Sequence, residues 1–310
     1  MNLRARPRII CLGLTALDAT WTVDTPLRPA GKTRASSYEE RGGGMAATAA
    51  VAAARLGADV QFWGRAGNDP AGHAMRDELQ RWGVDASRLE LFDGARSSVS
   101  GVIVDAAGER TIVNFRGAGL PADPGWLPLD AVARADAVLA DPRWPEGATA
   151  LFDAARRHGV PSVLDGDVAD AATFDTLLPR VDFAVFSEPG LAQYWNGGAT
   201  LQVEPALVFA RQRGCRVAAV TLGERGLAWH DGRALQRLPA FDVAVVDTNG
   251  AGDVFHGALA YGLGAGWQAR EAFRFSSAVA ALKCTRQGGR AGVPDLASAM
   301  QFLGTSRSDE

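Results

Sequence analysis

Short apolar runs rich in β-branched or aromatic residues recur along the chain: Ile9 to Leu12, Val60 to Trp63, Ala137 to Ala140, Ser162 to Leu164, Phe183 to Phe186 and Val217 to Thr221. Brief runs that are apolar on both alternating sides fit buried parallel strands. Helical spacing appears between them at Ala46 to Leu56, Gly72 to Trp82 and Ala148 to His158. Gly57, Gly83 and Gly159 follow these segments, where a left-handed residue ends a helix. The alternation predicts a three-layer αβα fold, a mostly parallel central sheet covered by helices on both faces. Its binding crevice should lie at the carboxyl ends of the strands.

Two stretches break the rhythm. Residues of about 20–41 and 97–116 carry period-two patterns, and the second holds a turn at Asp105 to Glu109 between VSGVIV and RTIVNF, which predicts a hairpin. Together they are expected to form a small β-sheet lid over the crevice. Beyond Asp247 the pattern turns helical, at Gly252 to Leu263, Gln268 to Cys284 and Asp295 to Leu303, with GTSRSDE as a frayed tail. No repeat or low-complexity linker interrupts the chain, so 1–310 is expected to be one domain.

Composition narrows the function classes. With 47% hydrophobic and 22% charged residues, 310 residues can bury a large core. The formal net charge is -3 and no long basic run occurs, which argues against nucleic acid or an anionic membrane as partner. Cys11, Cys215 and Cys284 are far apart and lack metal or redox spacing, as expected of reduced structural thiols. The apolar run near the start is too brief for a membrane span, and the expectation is a first strand and a cytoplasmic protein.

The segment richest in chemistry is DVAVVDTNGAGDVFHGALAYGLGAG, an expected strand ending near Val246 that passes through Asn249, Gly250, Ala251 and Gly252 into a helix. Asp253 stands at the start of that helix. Small residues let backbone approach a ligand, and first-turn N–H groups attract phosphate oxygens. A carboxylate there can accept the proton of an attacking hydroxyl during phosphoryl transfer. Asp is also a favoured helix cap, and an isolated GAGD leaves both roles open.

Along its full length DTNGAGDVFHGALA resembles the second signature of PfkB-type, ribokinase-like carbohydrate kinases, and GGGMAATAAVAAARLGADVQFWGRAGND resembles their first. The likeness implies a ribokinase-like fold and an ATP-dependent phosphotransferase acting on an alcohol group. It places the anion hole at Gly250, Ala251 and Gly252, the base at Asp253, and sugar contacts at Asp18, Gly43 and Gly44. Thr48 stands where most members carry a sugar-contacting Asn, which puts a standard ribose or fructose mode in doubt. TLGERG, with Thr221, Gly223 and Gly226, resembles the nucleotide loop; Asn249, Gly288 and Gly289 should border it, although CTRQGGRAGVPD also suits a plain flexible connection. In FSEPG, Ser187 replaces the usual Asn and Gly190 the usual Glu of the metal and phosphate motif, with Glu188 as a candidate replacement. Mg2+ is therefore expected through ATP and water, with no metal ligand assigned directly. Kinases of this kind often hold a monovalent cation such as K+ near the CTRQGGRAGVPD loop and the strand end at DTNGAGD, and many pair their lids, so a homodimer is expected.

Over almost the whole chain, segments including GERTIVN, VLADPRW, VLDGD and FSEPGLA resemble sulfofructose kinases within the same group. That likeness implies transfer of the ATP γ-phosphate to the C1 hydroxyl of 6-deoxy-6-sulfofructose. Lys32, Asn114 and Arg143 match positions that hold the sulfonate. Two cations and an amide suit a fixed negative charge, yet Lys32 and Arg143 taken singly fit solvated surface charges as well.

The same residues admit three other readings. Gly42, Gly44 and Ala47 satisfy a dinucleotide fingerprint, but a polar YEER precedes the glycines and no acidic residue follows at the required distance. A non-catalytic sugar-binding regulator would have little use for Asp253 and a complete anion loop. A ketohexose or other sugar kinase without sulfonate preference shares every general motif and stays open. His256 follows Asp253 by three residues, near the site but with no role assigned.

Overall fold

The computed structural model describes residues 6–26, 30–198 and 200–305; the expected tail beyond 305 lies outside them. The central sheet has nine strands in the order β13-β12-β11-β10-β9-β8-β1-β4-β5. These are β1 (Arg8–Gly13), β4 (Asp59–Gly67), β5 (Asp85–Phe92), β8 (Ala137–Ala140), β9 (Ser162–Gly166), β10 (Phe183–Ser187), β11 (Val217–Thr221), β12 (Leu227–His230) and β13 (Leu235–Leu238). All neighbours pair parallel except β12 and β13, which run antiparallel at one edge. The smaller sheet has the order β3-β2-β6-β7, built from β2 (Ala16–Val23), β3 (Ala35–Gly43), β6 (Val99–Val104) and β7 (Arg110–Phe115).

Alternation along each strand explains the three layers. Ile9, Cys11, Val60, Phe62, Val163 and Val185 join one buried cluster, while Ile10, Leu12, Trp63, Leu164 and Phe186 join the other. Helices α1 (Met45–Arg55), α2 (Pro70–Arg81), α7 (Ala251–Gly264), α8 (Ala269–Cys284) and α9 (Leu296–Thr305) contribute to the first cluster. Helices α3 (Pro145–His158), α4 (Ala171–Leu177), α5 (Glu188–Trp195) and α6 (Val203–Arg211) contribute to the second. None is long and apolar enough to cross a membrane.

The alanine-rich sequence of α1 has a structural purpose. A Cβ at Gly257 of α7 would lie 2.2 Å from the Ala49 carbonyl oxygen, so the two helices meet almost backbone to backbone. Ala49→Leu would overpack this contact at a cost of about 1–3 kcal/mol. The contact brings the amino ends of α1 and α7 to the same edge of the sheet.

One expected strand is absent. Residues 239–250 form no strand; Val246 and Asp247 instead donate their N–H groups to the Cys284 carbonyl at 2.8 and 3.1 Å. The segment hangs on the end of α8 rather than on a neighbouring strand. Val245 and Val246 are accordingly about 60% exposed, at 62% and 61%.

Candidate active site at the carboxyl edge of the sheet

Chain order reverses about β1, whose neighbours are β4 on one side and β8 on the other. Ligands bind at such switch points, beyond the carboxyl ends of the strands. Asp141, directly after β8, organises the place. Its Oδ2 accepts from the Leu14 and Ala46 N–H groups at 2.7 and 3.1 Å, and its Oδ1 from Arg143 N–H at 2.9 Å. Burial lifts its pKa to about 6, although these N–H bonds oppose the rise. One carboxylate thus ties the end of β1, the start of α1 and the chain after β8. Sequence reasoning missed it, although an Asp ending a wholly apolar strand was a usable signal.

Asp18 lies on β2 of the small sheet, not in a free loop. Burial raises its pKa while a hydrogen bond to Ser100 opposes the shift. A Cβ at Gly43 would sit 2.2 Å from Asp18 Oδ2, so a side chain there would displace the Asp18 carboxylate. Asn114 on β7 donates through Nδ2 to Ser100 Oγ at 3.1 Å, which links Asn114 through Ser100 to Asp18 on the cavity-facing side of the small sheet. Gly42 donates its N–H to Glu78 Oε2 at 2.5 Å.

Arg290 is the second residue that the sequence hid. Its buried guanidinium donates to Gly43 O at 2.7 Å, Glu78 Oε1 at 3.2 Å and Thr48 Oγ1 at 3.3 Å. Thr48 therefore turns its hydroxyl to Arg290, and its place among expected sugar contacts gains no direct support from this geometry. A cavity of about 670 Å³ has Asp18, Gly42 and Ser100 on one side and Asn249, Gly288, Gly289 and Arg290 on the other. Residues expected to meet the sugar and residues expected to border the nucleotide thus share one space.

Gly250 caps α7 with φ +73°, a left-handed conformation suited to glycine, and Gly44 caps α1. Nothing lies within 4 Å of where a Gly252 Cβ would be, so the first turn of α7 presents open backbone. Helix geometry leaves the Gly252 and Asp253 N–H groups without intrahelical acceptors. Asp253 does not line the large cavity. A Cβ at Gly250 would lie 3.5 Å from Thr48 Cγ2 and 3.8 Å from Asp253 Oδ2, and the Asp253 charge acts on the cavity-lining Arg290. Burial raises the Asp253 pKa well above the usual carboxylate value; Asp165, Asp167 and Asp141 add to the rise, and His256 opposes it.

Of the residues expected at the nucleotide, Thr221 ends β11 and donates Oγ1 to Phe186 O at 3.4 Å, and Gly223 and Gly226 flank the turn that follows. Ser187 caps α5, accepting from Gly190 N–H at 3.1 Å, and donates to Asp167 at 3.2 Å. Glu188, the candidate replacement for the missing Glu, accepts from Arg225 with both its oxygens at 2.5 Å. Among the described residues no group of three or more His, Cys, Asp or Glu side chains is gathered to hold a metal.

The three expected sulfonate contacts separate. Asn114 faces Ser100, and Lys32 is exposed ahead of β3 and lines neither of the two cavities at this edge. Arg143 lines a second cavity, of about 190 Å³, with Arg65, Arg116, Gly13, Leu14 and Trp144. Its guanidinium donates to Val168 O at 2.7 Å and Asp167 Oδ2 at 3.0 Å. Arg65 stacks 4.4 Å from the centre of the Trp144 ring and donates to Pro121 O.

Comparison with known proteins agrees with this architecture. Residues 6–296 match the profile of the pfkB family of carbohydrate kinases. Ribokinase of Bacillus subtilis is 28% identical over 299 residues, spanning 93% of this chain and 96% of that protein. A crystal structure from Agrobacterium tumefaciens, assigned provisionally as a ribokinase, superposes with a TM-score of 0.91 at 36% identity, covering 98% of this chain and 100% of that one. Arabidopsis thaliana ribokinase, solved with ribose and ATP, shares the fold at a TM-score of 0.85 and 23% identity, with 96% and 99% coverage. The chain therefore belongs to the pfkB family, the ribokinase-like kinases that phosphorylate sugars at the expense of ATP.

Proposed function

We propose that this kinase phosphorylates 6-deoxy-6-sulfofructose at its C1 hydroxyl, giving 6-deoxy-6-sulfofructose 1-phosphate. The observation that carries the reading is the arginine-lined cavity at the β1/β8 switch point. Arg65, Arg116 and Arg143 face it with Asp170 as the only carboxylate among its lining residues. A sulfonate is charged at every working pH and needs paired donors when it leaves water. Arg143 is already paired with Asp167 at 3.0 Å, so a sulfonate would answer chiefly to Arg65 and Arg116, whose charge an uncharged sugar would not use.

The chemistry follows from the first turn of α7. Asp253 would accept the C1 hydroxyl proton as that oxygen bonds to the γ-phosphorus and the bond to the ADP oxygen breaks. The open Gly252 and Asp253 N–H groups would receive the charge that spreads over the phosphoryl oxygens. Mg2+ would come bound to the nucleotide and offset phosphate charge there. Asp18 and Gly43 would hold the sugar hydroxyls, and Asn249, Gly288 and Gly289 would border the nucleotide.

The outer face of the lid exposes Trp21, Tyr38, Val99, Val113 and Phe115, an apolar surface that supports a homodimer built lid to lid. The substrate reading is tested by ADP release over a panel of sulfofructose, fructose, fructose 6-phosphate, ribose and a nucleoside. Sulfofructose should lead on kcat/KM, and Arg143→Ala should lower that value about tenfold or more while sparing fructose, as expected when charge-assisted bonds are lost. Equal losses on both sugars would reduce the protein to a ketohexose kinase without sulfonate preference.

A further inference from the structure

The likeness to sugar kinases brings with it a monovalent cation near Asp247, and the residues found there do not fit one. Lys283, in the last turn of α8, is 0% exposed although it carries a charge. Its ammonium donates to the Asp247 carbonyl at 2.8 Å, and Nζ lies 4.0 Å from Asp247 Oδ1. A buried ammonium persists only where oxygen atoms compensate it, and here Asp247 supplies both kinds.

Asp247 is also the knot of the nucleotide side. Its Oδ1 accepts from Asn249 N–H and its Oδ2 from Gly288 N–H, each at 2.9 Å. The first bond shapes the approach to Gly250 and α7, and the second holds the loop after α8. A single positive charge under these oxygens keeps two segments together that are distant in sequence. A bound alkali ion would need the same carbonyl and carboxylate oxygens that Lys283 engages.

We infer that the Lys283 ammonium is the built-in cation of this loop, so that folding and turnover need no added K+. Ribokinase-like architecture is retained while the ion is replaced by a side chain. The inference rests on the kinase reading only for its catalytic arm.

The full chain is freed of alkali and ammonium ions and compared in KCl and in tetramethylammonium chloride at equal ionic strength, by thermal melting and by sugar-dependent ADP release. Wild type should melt at the same temperature and turn over equally in both salts. Lys283→Met and Lys283→Ala should melt lower, recover with K+ through mass action, and for Lys283→Ala gain about tenfold in turnover, the usual scale of coupling between an effector and a site. A K+-specific rise in wild-type melting temperature or rate overturns the inference, as do variants indifferent to K+. Should neither variant fold, the wild-type melting comparison decides alone. A wild type inactive on every sugar would count against the kinase reading, and melting would still decide this one.

Discussion

Replacing His256 by asparagine removes a buried positive charge from one turn behind the proposed base. His256 Nδ1 lies 3.1 Å from Asp165 Oδ2 and Nε2 lies 3.0 Å from Val185 O, with both side chains 4% exposed. Each ring nitrogen faces an oxygen acceptor, which favours the doubly protonated ring. Burial alone would lower the His256 pKa; the adjacent Asp165 charge and the bond to Val185 outweigh it and lift the value to about 9. The rise from an unfolded value of about 6.5, at 1.36 kcal/mol per pH unit, corresponds to about 3 kcal/mol.

A raised folded pKa fixes the sign. The stabilisation is fully present below about pH 6.5 and is lost as pH rises through about 9. Urea denaturation of wild type and His256→Asn from pH 6 to 10 should show a stability difference that shrinks by about 3 kcal/mol over that window. Kinetics supply a second readout, because His256 opposes the rise in the Asp253 pKa that burial and neighbouring carboxylates impose. Without the imidazolium, the acid limb of kcat/KM should move to higher pH. A stability difference that stays constant with pH, or an acid limb that stays put or moves lower, would refute the electrostatic account.

Asp253→Asn should lower kcat by about 10²–10⁴-fold with little change in sugar KM, as expected on removing a general base; single-turnover kinetics check it, and unchanged kcat would dismiss the carboxylate as a helix cap. Gly43→Ala would push its Cβ against Asp18 Oδ2, 2.2 Å away, so KM should rise for sulfofructose and fructose alike with ATP binding kept. Val113→Asp puts a charge on the apolar outer face of the lid, where Val113 is 70% exposed, and should give monomers by light scattering without loss of melting temperature. A chain already monomeric before substitution would remove the lid-to-lid proposal.

The layers of the fold were legible because buried parallel strands leave apolar runs and helices leave glycine caps. Ala137–Ala140 and Val217–Thr221 were bounded correctly for this reason. Strand β5 escaped because DASRLELF, at the sheet edge, buries few of its positions. The strand expected up to Val246 misled because DVAVV has the right composition, whereas strand formation needs a free neighbour, and there the Cys284 carbonyl takes the N–H groups instead. Asp18, Gly43 and Gly250 were nameable from motif likeness.

What stayed hidden was buried charge. Asp141, Arg290 and Lys283 look in sequence like any solvated residue, since nothing local records that a charge will be enclosed by distant segments. Yet each joins stretches that the chain separates: Asp141 links Leu14, Ala46 and Arg143; Arg290 links Gly43, Thr48 and Glu78; Lys283 reaches Asp247. Apolar packing can bring these segments near one another, but it is tolerant of small shifts, whereas a buried charge that loses its partner is strongly destabilising. The site's geometry is thus set more by these three residues than by the glycine motifs that announce it. Motif glycines give the ligand room, and the enclosed charges hold the rims of that room at a fixed distance.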